Sequence, residues 1–561
     1  IHVGQDFQIP AALSPQNYNT IKALQYHRIG KANMADIYDA IIIGAGHNGL
    51  VTGCYLAKAG MRVLMLENRN IVGGACVTET DTFPGYRVST LAYVNSLFRK
   101  EIIEDLQMKR HGFEMLERNP SSYTPLPDGR HLLLGPDSSM THSEIAKFSK
   151  KDAENYPKYE AMLEKIGAVV EPLLIQIPPN LLRPSLKDLW KLAKLALGFK
   201  AMGPGLSEAI DLLAGPAKDI LENWFESEPL KGTLATDAVI GAFSAPSAPG
   251  TGYVLFHHVM GETNGKKGVW GYVKGGMGEI TRILADIAKA HKTQIMTGCK
   301  VERILVKGGR AVGVACADGN EYFAKRIISN ADAHVTFEKL LEPGLLPDSF
   351  QSGIRSIRYD SASLKINVAL DRAPVFLASK GLANNIHLRG TVHICPDMEA
   401  IERAFDDAKY GQTSRVPILE CTLPSMVDPG VAPAGKHLMS MFIQYAPFNL
   451  KGTTWETERD IFADRCFDLL ETYAPGFKAS VLARQVITPL DMERDFGLTG
   501  GNIFQGSMGL NRLHALRPLV GHSGYKTPIP GLFLCGSATH PGGGVTGACG
   551  YNAARVILGR G

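Results

Sequence analysis

Residues 40–74 constrain the fold more than any other stretch of this chain. The run Ala40-Ile41-Ile42-Ile43 is wholly apolar and stops at Gly44-Ala45-Gly46-His47-Asn48-Gly49. A helix-compatible segment follows over 50–59, Gly60 offers a C-cap, and a second apolar run over 61–66 ends in Glu67. A short apolar run bounded by glycine fits a parallel strand buried on both faces. Strand, helix and strand in this order form a right-handed crossover, so the chain opens a parallel α/β sheet.

Each glycine of the first loop has a physical use. Gly44 permits the tight turn, Gly46 lets backbone approach a pyrophosphate, and Gly49 allows close helix–strand packing. The helix N-terminus then presents free N–H groups and the positive end of its dipole to the phosphates. Glu67 lies 18 positions after Gly49, at the end of the next strand, where it can accept hydrogen bonds from a ribose diol. Its charge disfavours a 2′-phosphate. Gly73-Gly74, preceded by Arg69, supplies a second flexible backbone contact to the same dinucleotide.

The C-terminus repeats the pattern in shortened form. An apolar strand over 531–535 leads into Gly536-Ser537-Ala538-Thr539-His540-Pro541-Gly542-Gly543-Gly544-Val545-Thr546-Gly547 and a last helix over 546–558. Only 14 residues follow Gly547, too few for a second strand and its acid. The loop therefore reads as a helix N-terminus aimed at an anionic group, such as the pyrimidine end of a reduced flavin.

Residues 38–74, 271–278, 326–332, 488–504 and 531–550 together resemble the phytoene desaturase-related flavoproteins. The likeness spans nearly all of residues 36–561. It implies an α/β fold with a discontinuous Rossmann-like FAD-binding domain of the amine oxidase and phytoene desaturase type, and an inserted α+β substrate domain. It places FAD on Ile43, Gly44, Ala45, Gly46, His47, Asn48, Gly49, Glu67, Asn68, Arg69, Gly73, Gly74, Ala75, Val301, Gly536, Val545, Thr546 and Gly547. A mitochondrial matrix location and a mitochondrial protein partner are also implied, with the substrate left open.

Around these motifs the text divides into a leader or flexible tail over 1–35, FAD-domain parts over 36–110, 266–334 and 491–561, a helical insert over 111–265, and an α+β segment over 335–490. Within the insert, helical periodicity covers 152–165, 185–203 and 206–228. Strands are expected over 300–306, 310–316, 321–324, 326–329, 363–370 and 437–444. The leader is basic and acid-poor, with Lys22, Arg28 and Lys31 against Asp6. It suits an organelle transit peptide or a flexible tail equally.

Hydride removal, desaturation or isomerisation of an apolar or amine-like small molecule is the expected chemistry. The alternative is a flavin domain that serves as the core of an assembly partner. Three residues are candidates for catalysis: His540 before the C-terminal loop, Lys365 in an otherwise apolar strand, and Tyr272 in an aromatic-then-glycine stretch with Trp270. The ordinary readings are a structural loop histidine, an outward-facing lysine on an alternating strand, and core aromatics. Dithiol chemistry is not expected, because Cys76 has no cysteine nearer in sequence than Cys54, 22 positions away, and no second dinucleotide domain is visible. His257-His258 lack a metal-ligand set, and no metal is expected. A net charge of +4 on 114 charged residues gives no nucleic-acid footprint. Over 185–200, Leu186, Leu189, Trp190, Ala193 and Leu197 form a helical stripe beside Lys187, Lys191, Lys194 and Lys200, a pattern suited to peripheral membrane contact.

Overall fold

The computed structural model describes residues 37–560, and the expected leader lies outside them. At its centre Ala40–Ile43 pairs in parallel with Val63–Leu66 on one side and Ile327–Ser329 on the other. Gln294–Met296 and Leu532–Leu534 close the two edges, also in parallel. Five strands from three distant parts of the chain thus form one sheet.

The apolar runs are explained by what covers each face. Ala40 and Ile42 point into a core shared with the helices His47–Lys58, Gly278–Ala290 and Ala548–Ile557. Ile41 and Ile43 point the other way, onto the antiparallel strands Val301–Lys307 and Arg310–Cys316. Each isoleucine buried in this way contributes roughly 1.5–3 kcal/mol.

A second sheet has seven strands in the order Val481–Ile487, Ser363–Leu370, His437–Gln444, Ile418–Thr422, Thr391–Ile394, Ser122–Pro125, His131–Leu134. One face is apolar: Leu364, Ile366, Val368 and Leu370 join Met439, Met441 and Ile443 against the helix Trp455–Tyr473. By the period of two, Ser363, Lys365 and Asn367 point to the opposite face. That face is covered as well, so the whole strand Ser363–Leu370 is buried.

Three expectations need correction. The 111–265 segment is not helical throughout, since Ser122–Pro125 and His131–Leu134 complete the seven-stranded sheet, the first by parallel pairing with Thr391–Ile394. Two- to four-residue strands carry too little alternation to stand out. The expected helix over 206–228 is two helices, Gly205–Ala214 and Ala217–Trp224, divided at Gly215-Pro216, because proline lacks the N–H a continuing helix needs. The last helix starts at Ala548, since Gly547 adopts φ +70° and caps it from outside.

Candidate functional site

One cavity of about 940 Å³ runs from the first glycine loop to the covered face of the seven-stranded sheet. The loop end is a backbone structure. Gly44 turns at φ +91°, and a Cβ on Gly49 would lie 2.4 Å from the Gly44 carbonyl oxygen, so loop and helix meet at backbone contact. The helix His47–Lys58 begins with no acid in its first turn and no capping side chain, which leaves its N–H groups to the cavity. Gly73 N–H donates to the Ala45 oxygen at 2.9 Å, fastening the Gly73-Gly74 loop over the first.

Glu67 stands at the edge of this cradle. Its Oε2 accepts from the Ala45 N–H at 2.7 Å and its Oε1 from the Arg69 N–H at 2.9 Å. The carboxylate is thereby fixed, with further lone pairs facing the cavity it lines. Arg69 forms an ion pair with Glu79 and lies over the Phe496 ring at 4.5 Å. A dinucleotide fits these groups: uncapped helix amides for phosphate, an oriented carboxylate for a diol, and glycines where a side chain would obstruct.

Of the sequence-predicted cofactor residues, Ile43, Gly44, Gly46, His47, Asn48, Glu67, Asn68, Arg69, Gly73, Gly74, Ala75, Val301 and Val545 line the cavity. Ala45, Gly49, Gly536, Thr546 and Gly547 stand behind that lining. Gly536 packs on the Asn330 carbonyl and Gly547 on Phe98 and Ile102. The Thr546 carbonyl accepts a hydrogen bond from the Arg99 N–H. Asn330, which lines the cavity, was not among the predicted residues; a Cβ on Gly46 would meet its amide nitrogen at 2.8 Å. Its signal was the break of the apolar strand at Asn330-Ala331-Asp332. The C-terminal loop is held from behind by Arg517, which is 2% exposed and donates to the carbonyls of Phe504, Gly506, Ser507, Arg512 and Ser537.

The three candidates for catalysis occupy different places. Lys365 does not face outward: it is 1% exposed and lines the cavity. Its ammonium donates to Asn367 Oδ1 at 3.0 Å and to Ser440 Oγ, and sits 4.7 Å from the Tyr93 ring centroid. Burial pulls its pKa down to about 7. Trp270 lines the cavity, but Tyr272 lies beneath it, its ring 5.6 Å from the Arg118 guanidinium carbon. His540 is buried off the cavity, with Nε2 2.8 Å from the Leu173 oxygen and its ring edge-on to His514. Burial pushes its pKa down to about 3, so the neutral ring donates to that carbonyl.

Sequence reasoning missed the far end of the cavity, where Arg118, Asp237, His393 and Glu420 converge. Strand register aligns Lys365 with Phe442, Phe442 with Glu420, and Glu420 with His393. These four residues form one row across the sheet, and nothing local marks Phe442, Glu420 or His393. His258 also reaches the cavity, its Nδ1 donating to the Val254 oxygen at 2.8 Å.

All nine cysteines are buried and free. Cys299 and Cys316 lie with their sulfurs 3.3 Å apart, a proximity hidden by a separation of 17 positions. The pair sits at the Glu67 end, where the Cys299 N–H donates to the Glu67 carbonyl. Burial pushes the Cys316 thiol up to about 12, and such a thiol is a poor nucleophile at neutral pH. Among the described residues no group of three or more His, Cys, Asp or Glu side chains could hold a metal, and no helix is long and apolar enough to cross a membrane. The helix Leu186–Lys200 buries none of its residues, and Leu186 is 87% exposed.

Known proteins match this chain along most of its length. The profile of the flavin containing amine oxidoreductases matches residues 153–558, and that of NAD(P)-binding Rossmann-like domains matches residues 42–103. The pyridine nucleotide-disulfide oxidoreductase domain-containing protein 2 of Rattus norvegicus is 43% identical over 542 residues, covering 93% of each chain. A limonene dehydrogenase polypeptide of Castellaniella defragrans is 26% identical, with 92% of this chain and 94% of the relative covered. Among solved structures, cyclohexylamine oxidase from Brevibacterium oxydans superposes with a TM-score of 0.55 at 16% identity, covering 93% of this chain and 99% of the other. That last likeness shows the shared fold.

Proposed function

The chain belongs to the flavin-containing amine oxidoreductases, and from that footing we propose that it is an FAD-dependent oxidoreductase whose substrate lies between the glycine cradle and the row Lys365–Phe442–Glu420–His393. The observation that carries this reading is the continuity of one cavity from a dinucleotide cradle to a buried amine and an aromatic wall. When bound, the flavin supplies the hydride acceptor. Glu67 orients the ribose, the uncapped helix amides and Gly46 take the pyrophosphate, and Gly73-Gly74, Val301 and Val545 enclose the remainder. Tyr93, Phe442 and Trp270 keep water from the reacting carbon. Lys365, neutral above about pH 7, holds or accepts a proton beside it.

The substrate class in this reading is an apolar or amine-like molecule, undergoing hydride removal, desaturation or isomerisation. The names support that range, since the family is that of the flavin containing amine oxidoreductases and one relative is a limonene dehydrogenase subunit. The exposed helix Leu186–Lys200 is the proposed contact with a membrane surface, from which a lipophilic substrate would be drawn. The mitochondrial matrix is the proposed compartment. The purified protein is expected to be yellow and to release FAD, not FMN, on denaturation and chromatography. Photoreduced flavin is expected to reoxidise rapidly with air or a quinone. A colourless chain that takes up no FAD on titration defeats the proposal, and a flavin inert to both acceptors favours the assembly-core alternative.

A further inference from the structure

The far end of the cavity is built from four segments with no sequence neighbours in common. Arg118 follows the strand Met115–Glu117, Asp237 ends the helix Glu228–Asp237, and His393 and Glu420 face each other across paired strands. Glu420 is 4% exposed, and its Oε1 is buried without a hydrogen-bond partner. A buried carboxylate oxygen left unpaired at a cavity wall marks a place where a ligand group or water completes the site.

The charges of this end do not balance. Two carboxylates share one guanidinium, and that guanidinium is tied elsewhere: Arg118 Nε donates to the Trp270 oxygen at 3.2 Å and Nη1 to Thr391 Oγ1 at 2.6 Å. His393 adds no charge, because burial and then Arg118 push its pKa down to about 3. The other titratable groups facing the pair are the phenol of Tyr93, those of Tyr156 and Tyr159 beside Asp237, and the thiols of Cys395 and Cys421 beside Glu420, all pushed up by burial, with the His258 ring, pushed down by burial to about 4, against the Asp237 backbone. One negative charge is left over in an apolar enclosure. Without a partner it is removed by protonation, as burial raises Glu420 to about 8 and Asp237 to about 7. Around the carboxylates stand π faces: Tyr93 stacks on Phe442 at 6.0 Å, and Trp270 lines the same space. Carboxylates with aromatic faces favour a cation over an alcohol or an anion.

We propose that Glu420 and Asp237 anchor a monocationic group of the substrate, of alkylammonium type, while the bond oxidised lies elsewhere on the same molecule, toward Lys365. The displacement follows from register. Glu420 is two strand positions from Lys365 with Phe442 between them, about 9.5 Å at the usual strand spacing. The inference rests on the proposed flavin site for its direction, not for the anchor itself. It describes an amphiphile held by its charged end, and it separates this cavity from one closed by apolar groups throughout.

Calorimetric titration of the flavin-loaded protein with hexylammonium, hexanol and hexanoate tests it. The ammonium is expected to bind at least about tenfold more tightly than either partner of equal chain length, and Glu420→Gln to remove at least about tenfold of that affinity. Affinity for the ammonium is expected to rise between pH 6 and pH 8.5, because the cation binds the ionised carboxylates, and the rise is expected to shrink in Glu420→Gln. Asp237→Asn provides a second variant should the first fail to fold. Equal binding of the three probes, or unchanged ammonium affinity in both variants, overturns the proposal. The flavin spectrum of the same samples keeps the two readings apart. A colourless parent that still prefers the ammonium keeps the anchor and loses the flavin reading, and a yellow parent without preference does the reverse.

Discussion

The cradle end of the cavity is made of backbone and the far end of side chains. At the cradle, Gly44, Gly46, Gly49 and Gly73 bring main-chain atoms together, and one carboxylate, Glu67, is held by two backbone N–H groups. At the far end, Arg118, Asp237, His393 and Glu420 are brought together by sheet pairing and helix packing. A backbone site is written in consecutive residues because turn geometry is local. A side-chain site assembled by register is written in positions far apart along the chain. The contrast predicts that the cradle tolerates almost no added atom, whereas the far end tolerates isosteric change in fold but not in ligand choice.

Gly49→Val gives the largest expected effect. Its Cβ would sit 2.4 Å from the Gly44 oxygen, and neither backbone segment can move without parting helix from strand. A loss of more than about 3 kcal/mol in unfolding free energy, together with the flavin absorbance, is expected in denaturant titration. A yellow variant of parental stability would break the claim that this end is rigid backbone.

Arg517→Met follows. Five carbonyls from two loops depend on this one buried guanidinium, and its removal strands acceptors enclosed by protein. The expected loss is about 3 kcal/mol. Flavin release should accompany it, because the C-terminal loop that carries Val545 is what Arg517 secures. Arg517→Lys is expected to recover only part, since an ammonium has three donors and no planar fork. Full recovery would show that charge alone, without fork geometry, holds the loop.

The same contrast accounts for what could be read in advance. The Ala40–Ile43 strand, its glycine loop, Glu67 and Gly73-Gly74 were legible because an apolar run, a turn and an acid at fixed spacing each have a local cause. Ala45, Gly49, Gly536, Thr546 and Gly547 lie on the expected loops without lining the cavity, since a motif does not disclose which atoms of a loop face inward. Lys365 stood as a candidate for catalysis beside an outward-facing reading, because period-two alternation identifies two faces without telling whether the second is covered. Glu420 and His393 were invisible: each sits alone in its strand, and only the pairing of Thr391–Ile394 with Ile418–Thr422 makes them neighbours. The Cys299–Cys316 contact escaped for the same reason, across Val301–Lys307 and Arg310–Cys316.

Lys365→Met tests the junction between the two ends. Methionine keeps the length and removes the charge, so flavin content should be unchanged while turnover, with whatever substrate reduces the flavin, falls by about 10²-fold. The parent's activity should rise with pH through about 7, the pKa to which burial lowers this amine, and that limb should vanish in the variant. The stability sign is independent of activity. Below about pH 7 the parent carries a buried ammonium in the folded state, and between there and the unfolded value of about 10.4 the unfolded chain binds the extra proton, so parental stability climbs with pH. The variant's advantage in melting temperature is therefore expected to be greatest below pH 7 and to fade toward pH 10. An advantage that does not vary with pH would mean that Lys365 titrates alike in the folded and unfolded chains, and that burial does not lower its pKa.

The smallest expected effect lies outside the cavity, on the helix Leu186–Lys200. Unlike either end of the site, this element is stabilised locally. Ser185 accepts from the Asp188 N–H and Asp188 returns the bond, a capping box that starts the helix without help from a core. Leu186, Leu189, Trp190 and Leu197 are 51–87% exposed, while the other side of the helix rests on its own domain through Phe199. The lysines are unequal partners. Lys191 donates to the Ile177 oxygen at 2.9 Å and serves the fold, while Lys194 lies 5.5 Å from the Trp190 ring and can leave it for an anionic headgroup. Membrane binding should then depend more on Leu186 and Trp190 than on Lys191. Flotation with vesicles containing anionic lipid is expected to recover several-fold less of a Leu186→Glu, Trp190→Glu variant than of the parent, and about half as much of Lys194→Glu. Flavin content and thermal stability should not change in either, because no residue of the helix is buried. Equal flotation of all three proteins would mean that the exposed stripe meets something other than lipid, and the cavity would then be filled from solution.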